Sequence, residues 1–92
     1  MVTRTVTIAN ALGLHARAAA RFVHTATAFD AQVRVAREGR VVDGKSIMGL
    51  LLLAAPRGTS IVISADGPDE AEALETLCLL VEGGLGEAPC TA

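Results

Sequence analysis

His15 and Arg17 are the residues of this 92-residue chain whose types and spacing could do chemistry. They lie in Gly13-Leu14-His15-Ala16-Arg17, between a stretch with strand alternation and a stretch with helical period. A histidine at a helix start sits beside backbone N–H groups that have no intrahelical partner, at the positive end of the helix dipole. That is a good place to hold an anion. Imidazole is a nucleophile whose neutral form is present at neutral pH. A phosphoryl group on His15 would meet donors already in place at Ala16, Arg17 and Ala18. Arg17 adds a planar guanidinium suited to phosphate, and the small Ala16 and Ala18 leave room for a partner to approach. The bland alternative is a histidine that caps a helix or sits on a surface loop. No paired carboxylates, metal-ligand spacing or glycine-rich nucleotide loop accompany it, so neither a cofactor nor a metal is expected. Such a site can accept and pass on a group, as a carrier that is itself modified, but lacks the parts of a turnover enzyme.

The elements that must position these residues are legible in the patterning. Val2, Arg4, Val6 and Ile8 alternate with threonines, which predicts a strand. Asn10 to Gly13 form a loop. Ala19, Phe22, Val23 and Ala26 recur at helical spacing, which predicts a helix over 16–28 with Arg17, Arg21 and His24 on another face. Residues 32–37 and 40–43 read as a hairpin around Glu38-Gly39. Asp43-Gly44-Lys45-Ser46 breaks the second strand, and Ser46 is a natural N-cap for a short helix from Ile47 to about Ala54. Residues 60–65 make a fourth strand. Pro68 and the acidic Asp69, Glu70 and Glu72 suit the start of a last helix over 69–82, with Leu74, Leu77, Cys78 and Val81 inward. The expected fold is α+β: an open-faced two-layer β-α-β-β-α-β-α sandwich, a four-stranded antiparallel sheet with three helices on one face. One domain is expected over 1–84, with a flexible tail over 85–92.

Composition narrows the function classes. The chain is 51% hydrophobic with two Phe and neither Trp nor Tyr, so its core is aliphatic. A formal net charge of −2 argues against generic nucleic-acid binding. The chain has no run of the ~18 apolar residues a membrane span needs and no signal-peptide pattern. Cys78 reads as a small core residue and Cys90 as an exposed thiol, and the pair has no metal spacing. A cytoplasmic monomer is expected.

Ser46 read from its residue type alone is a helix cap. The apolar run from Ile47 to Ala55 exceeds what one face of a short helix can bury. Leu50 and Leu53 point inward by spacing, which leaves Ile47, Met48 and Leu51 exposed as a docking surface beside His15. Methionine suits a surface that fits several partners. Arg21 and His24 would add steering toward acidic partners, with a plain solvated helix face as the competing reading.

Gly13-Leu14-His15-Ala16-Arg17, together with Gly44-Lys45-Ser46-Ile47-Met48-Gly49 at this distance, resembles the HPr family, the histidine phosphocarriers of the bacterial phosphotransferase system. The resemblance covers residues 1 to about 84. It implies that His15 is phosphorylated on Nδ1 by enzyme I and donates to a histidine of enzyme IIA, with Arg17 neutralising the phosphoryl group. It implies that Ser46 is a regulatory site for an HPr kinase/phosphorylase, and that the two N-terminal helices dock both partners. Many members of the family carry proline where this chain has Ala18, which here adds one N–H near His15. Asn10-Ala11-Leu12-Gly13 is similar to the nitrogen-branch NPr variety, so a regulatory phosphorelay without sugar transport is a second reading. An RNA-binding module of similar element order is a third, but it needs aromatic residues on the sheet for base stacking. A small-molecule regulatory domain is a fourth, and no residue specifies its ligand.

Overall fold

The buried β-branched and alanine residues of neighbouring strands pair across the sheet. The computed structural model describes residues 1–86. Its strands are β1 (Val2–Thr7), β2 (Gln32–Arg37), β3 (Arg40–Asp43) and β4 (Ser60–Asp66), and its helices are α1 (Ala16–Ala26), α2 (Ile47–Leu53) and α3 (Glu70–Glu82). The sheet order is β1-β4-β2-β3, with every neighbouring pair antiparallel. Val6 lies opposite Ile61, Val33 opposite Ala65 and Val35 opposite Ile63. All six side chains are buried, as strand alternation requires when one face meets the core. Arg4 is exposed despite sharing the predicted row with Val6 and Ile8. The open sandwich predicted from the sequence is the fold observed.

The helices cover one face of the sheet. α3 lies against β1 and β4, α2 against β2 and β3, and α1 packs against both other helices. Phe22 of α1 is the largest fully buried side chain, and Phe29 packs against the same core. Both aromatic residues therefore serve the interior, and neither lies on a strand. Thr3, Thr5, Thr7, Ser60, Gln32 and Arg34 are exposed on the strands, so the stacking platform an RNA-binding module needs is missing.

β4 runs one residue further than expected, to Asp66, and α2 ends at Leu53 rather than Ala54; three other boundaries differ for a visible reason. α1 ends at Ala26 rather than 28; the Thr27 hydroxyl donates to the His24 carbonyl at 2.9 Å, and Phe29 N–H to Ala26 at 3.2 Å, closing the helix in turns. α3 starts at Glu70, because the Asp69 carboxylate accepts from the Asp30 and Ala31 N–H groups, both at 2.8 Å, and staples the entry to β2. Finally, Leu85 does not belong to a loose tail. It is fully buried, its N–H donating to the Leu80 carbonyl at 2.8 Å while Gly84 donates to Val81 at 3.1 Å. Those two bonds make a Schellman ending, which needs a left-handed residue after the helix; Gly84 supplies it at φ 90°. The packed unit thus extends past the expected boundary at 84. The rest of the expected tail, including Cys90, lies outside the described residues.

Candidate functional site

The site is built on the hinge between β1 and α1. Gly13 has φ +67°, and a Cβ there would lie 2.5 Å from the Ala55 carbonyl oxygen, so only glycine fits the approach. Leu14 follows with its side chain buried and its N–H donating to Ala55 at 2.9 Å. The hinge is therefore docked on the segment that leaves α2. His15 then stands at the N-cap of α1 in an extended conformation, φ −85° and ψ −179°, and its carbonyl accepts the first helical bond from Ala19 at 2.8 Å. Its ring does not cap the helix, and the first turn holds no acidic residue. The N–H groups of Ala16, Arg17 and Ala18 thus belong to a helix start that uses no side-chain cap.

Ala16 and Arg17 are exposed and His15 is half-buried. Ala18 is different: its side chain is fully buried in the core. It leaves no room for a partner, contrary to the sequence expectation, and its contribution to the site is its backbone. Arg17, Ala20, Arg21, His24, Thr25, Leu80 and Gly86 line a shallow groove of about 490 Å³ running from the hinge toward the end of α3. Arg21 is not a plain steering charge. Its Nη1 donates to the Leu85 carbonyl at 3.3 Å, which ties α1 to the turn after α3.

α2 presents the second half of the site. Ser46 is its N-cap, the hydroxyl accepting from Gly49 N–H at 3.1 Å. Leu50 and Leu53 are buried, while Ile47 (41% exposed), Leu51 (36%) and Met48 (71%) face outward, as their spacing predicts. The sequence reading missed Leu52 (61%) and Leu12 (71%). Leu52 follows Met48 by four residues, a helical stripe that spacing alone could have found. Leu12 sits in a loop, where no periodicity reports its direction. The C-terminal end of α2 is pinned by the hairpin: Arg40 donates to the Leu52 carbonyl at 2.9 Å and Arg37 to that of Leu53 at 3.1 Å. Two cations at a helix C-terminus satisfy its orphan carbonyls and oppose its dipole.

Ser46 and the hinge mark opposite ends of α2. The helix between them is about 10 Å long, seven residues at a rise of ~1.5 Å. Among the described residues no three of His, Cys, Asp or Glu could hold a metal ion, and no helix is long and apolar enough to cross a membrane. Cys78 is buried, and burial pushes its thiol above the usual range, which keeps it inert.

Residues 2–83 match the family model described as the PTS HPr component phosphorylation site. The phosphocarrier protein HPr of Cupriavidus necator is 48% identical over 87 residues, which span 95% of this chain and 98% of that one. The phosphocarrier protein NPr of Shewanella violacea is 39% identical over 85 residues, covering 92% and 93% of the two chains. Among solved structures, HPr-C-His from Thermoanaerobacter tengcongensis superposes with a TM-score of 0.91 at 43% identity, over 96% of this chain and 99% of that one.

Proposed function

The chain belongs to the HPr family and is a phosphocarrier of the phosphotransferase system; from that premise we propose that His15 is the group that carries the phosphoryl. The observation that carries the assignment is the helix start at His15, with an extended backbone, no side-chain cap and Arg17 two residues on. Phosphorylated enzyme I presents its phosphoryl group to the ring. The lone pair of Nδ1 forms the N–P bond as the bond from phosphorus to its donor atom breaks, and the donor leaves with that electron pair. Arg17 and the N–H groups of Ala16, Arg17 and Ala18 stabilise the charge on the phosphoryl oxygens. The reverse process delivers the group to a histidine of enzyme IIA. Acceptor, cation and donors all come from one chain, so a single copy suffices, and the carrier is spent and restored rather than turning over a substrate. A cytoplasmic place goes with these partners.

Ile47, Met48 and Leu51, now joined by Leu12 and Leu52, form the apolar docking surface, with Arg17 and His24 at its edge. Ser46 is the regulatory site for an HPr kinase/phosphorylase. A phosphate there would add a charge of about −1.5 to −2 at a helix start that favours it. Placed at the far end of α2 from the hinge, it acts by changing the charge an approaching partner meets. The test is transfer from phosphorylated enzyme I followed by fragmentation mass spectrometry. The expected adduct maps to His15 and is lost in His15→Ala; an adduct on any other residue overturns the assignment.

The nitrogen-branch reading is the weaker of the two, since the NPr is 39% identical and the Cupriavidus necator HPr 48%, and it shares the same chemistry at His15. The two branches separate on which enzyme IIA accepts the phosphoryl group faster.

A further inference from the structure

Asn10 is the one polar side chain buried among the described residues, with 5% of its surface exposed. Burying an amide costs free energy unless its groups are hydrogen-bonded, so what it holds is informative. Its Nδ2 donates to the Gly13 carbonyl at 2.6 Å, and the Gly13 N–H donates back to the Asn10 carbonyl at 3.1 Å. A carbonyl can only accept, so the amide nitrogen must be the atom that faces it. The same Gly13 carbonyl accepts from the His15 N–H at 3.0 Å. Asn10 and His15 therefore meet on one oxygen. Gly13 cannot give way on its other side, where a mere Cβ would strike Ala55 and Pro56. Leu14 is anchored to Ala55 as well. A chain held in this way at residues 13 and 14 constrains the backbone direction, φ −85° and ψ −179°, with which His15 enters α1.

We infer that Asn10 is a positioning residue for phosphoryl transfer, acting through the Gly13 carbonyl to set the direction of His15 at the start of α1. The inference rests on His15 as the acceptor. Misplacing a reacting group by a fraction of an ångström slows transfer without removing any group that touches phosphate. The Asn10→Ala variant loses the clamp. The Asn10→Asp variant keeps the shape, but its new carboxyl donates to the Gly13 carbonyl only when protonated and repels it when ionised.

The experiment measures single-turnover transfer from phosphorylated enzyme I at a temperature well below every melting point. It compares wild type, Asn10→Ala, Asn10→Asp, and a core control on α3, Leu77→Val. Asn10→Ala is expected to transfer about tenfold more slowly, while Leu77→Val transfers at the wild-type rate even where its loss of Tm is equal. The ratio of Asn10→Asp to wild-type rates, taken at each pH, is expected to fall as pH rises through the titration of the new carboxyl. Should Asn10→Ala fail to fold, that ratio decides alone. A wild-type rate in Asn10→Ala, equal slowing in Leu77→Val, or a ratio flat with pH overturns the inference. Failure of the underlying assignment looks different: the adduct would then persist in His15→Ala, which sinks both.

Discussion

α1 and α2 begin in opposite ways. At the start of α2 the Ser46 hydroxyl accepts from Gly49 N–H, closing the turn from within. At the start of α1 the His15 side chain makes no cap bond to the helix, and the hinge is held from behind, by Ala55 and Asn10. A capped start is stable and needs no ligand. An uncapped start has backbone donors to offer an anion. The two residues therefore suit different uses of phosphate. His15 can hold it transiently among donors, whereas Ser46 is already part of the structure and changes what the surface presents.

Breaking the comparison at its strongest point gives the largest effect. His15→Ala is expected to abolish enzyme I-dependent labelling, while Ser46→Ala leaves that labelling in place and removes only the kinase-dependent label. Intact mass measurement of each variant checks this. Arg17→Ala comes next. Losing one charge-stabilising donor from a transfer site costs on the order of 10²-fold, and Arg17→Lys should recover part of the loss because it restores the charge without the planar fork. Rapid-quench transfer rates decide it.

The cap itself carries a smaller effect. Ser46→Ala should destabilise the fold by about 1 kcal/mol, equivalent to a fall in Tm of roughly 4–8 °C. Ser46→Asp should keep most of that stability while slowing transfer, and thermal melts alongside transfer rates separate the two.

The third helix start sharpens the contrast, because Asp69 spends its carboxylate on the neighbouring loop. The Asp30 N–H foremost, with Ala31, holds its carboxyl below the ordinary value of 3.8. A lowered folded value means that the contact stabilises the fold above about pH 4 and is lost as pH falls through the folded value. Asp69→Asn should therefore melt below wild type at neutral pH, with the gap closing on acidification. The smallest effect concerns Ala18. Ala18→Pro is tolerated in a first helical turn but removes one N–H, and it should hasten hydrolysis of the phosphohistidine a few-fold. Identical lifetimes would mean that this donor contributes nothing.

Much of this arrangement is legible in the sequence. Alternation at Val33, Val35, Ile61 and Ile63 gave the sheet face, because one buried face forces period two. Ser46 announced itself by type and by the apolar helix after it. Gly13 before His15 marked the hinge. What was hidden depends on contacts between distant segments. The burial of Leu85 follows from a turn geometry that Gly84 allows but does not require. Ala18, by contrast, faces inward on the row Ala18, Phe22 and Ala26, a spacing of four that was legible although the expected stripe began at Ala19. Asn10 read as an ordinary loop residue, since nothing local shows that its amide meets the carbonyl shared with His15.

The central claim is that the uncapped helix start carries a phosphoryl group on histidine. Its most direct test is native mass measurement after incubation with enzyme I and phosphoenolpyruvate, repeated after mild acid. Phosphohistidine is acid-labile and phosphoserine is not. The account predicts one added phosphoryl group that disappears on acid treatment; no gain with a cognate enzyme I, or a gain that survives acid, would contradict it.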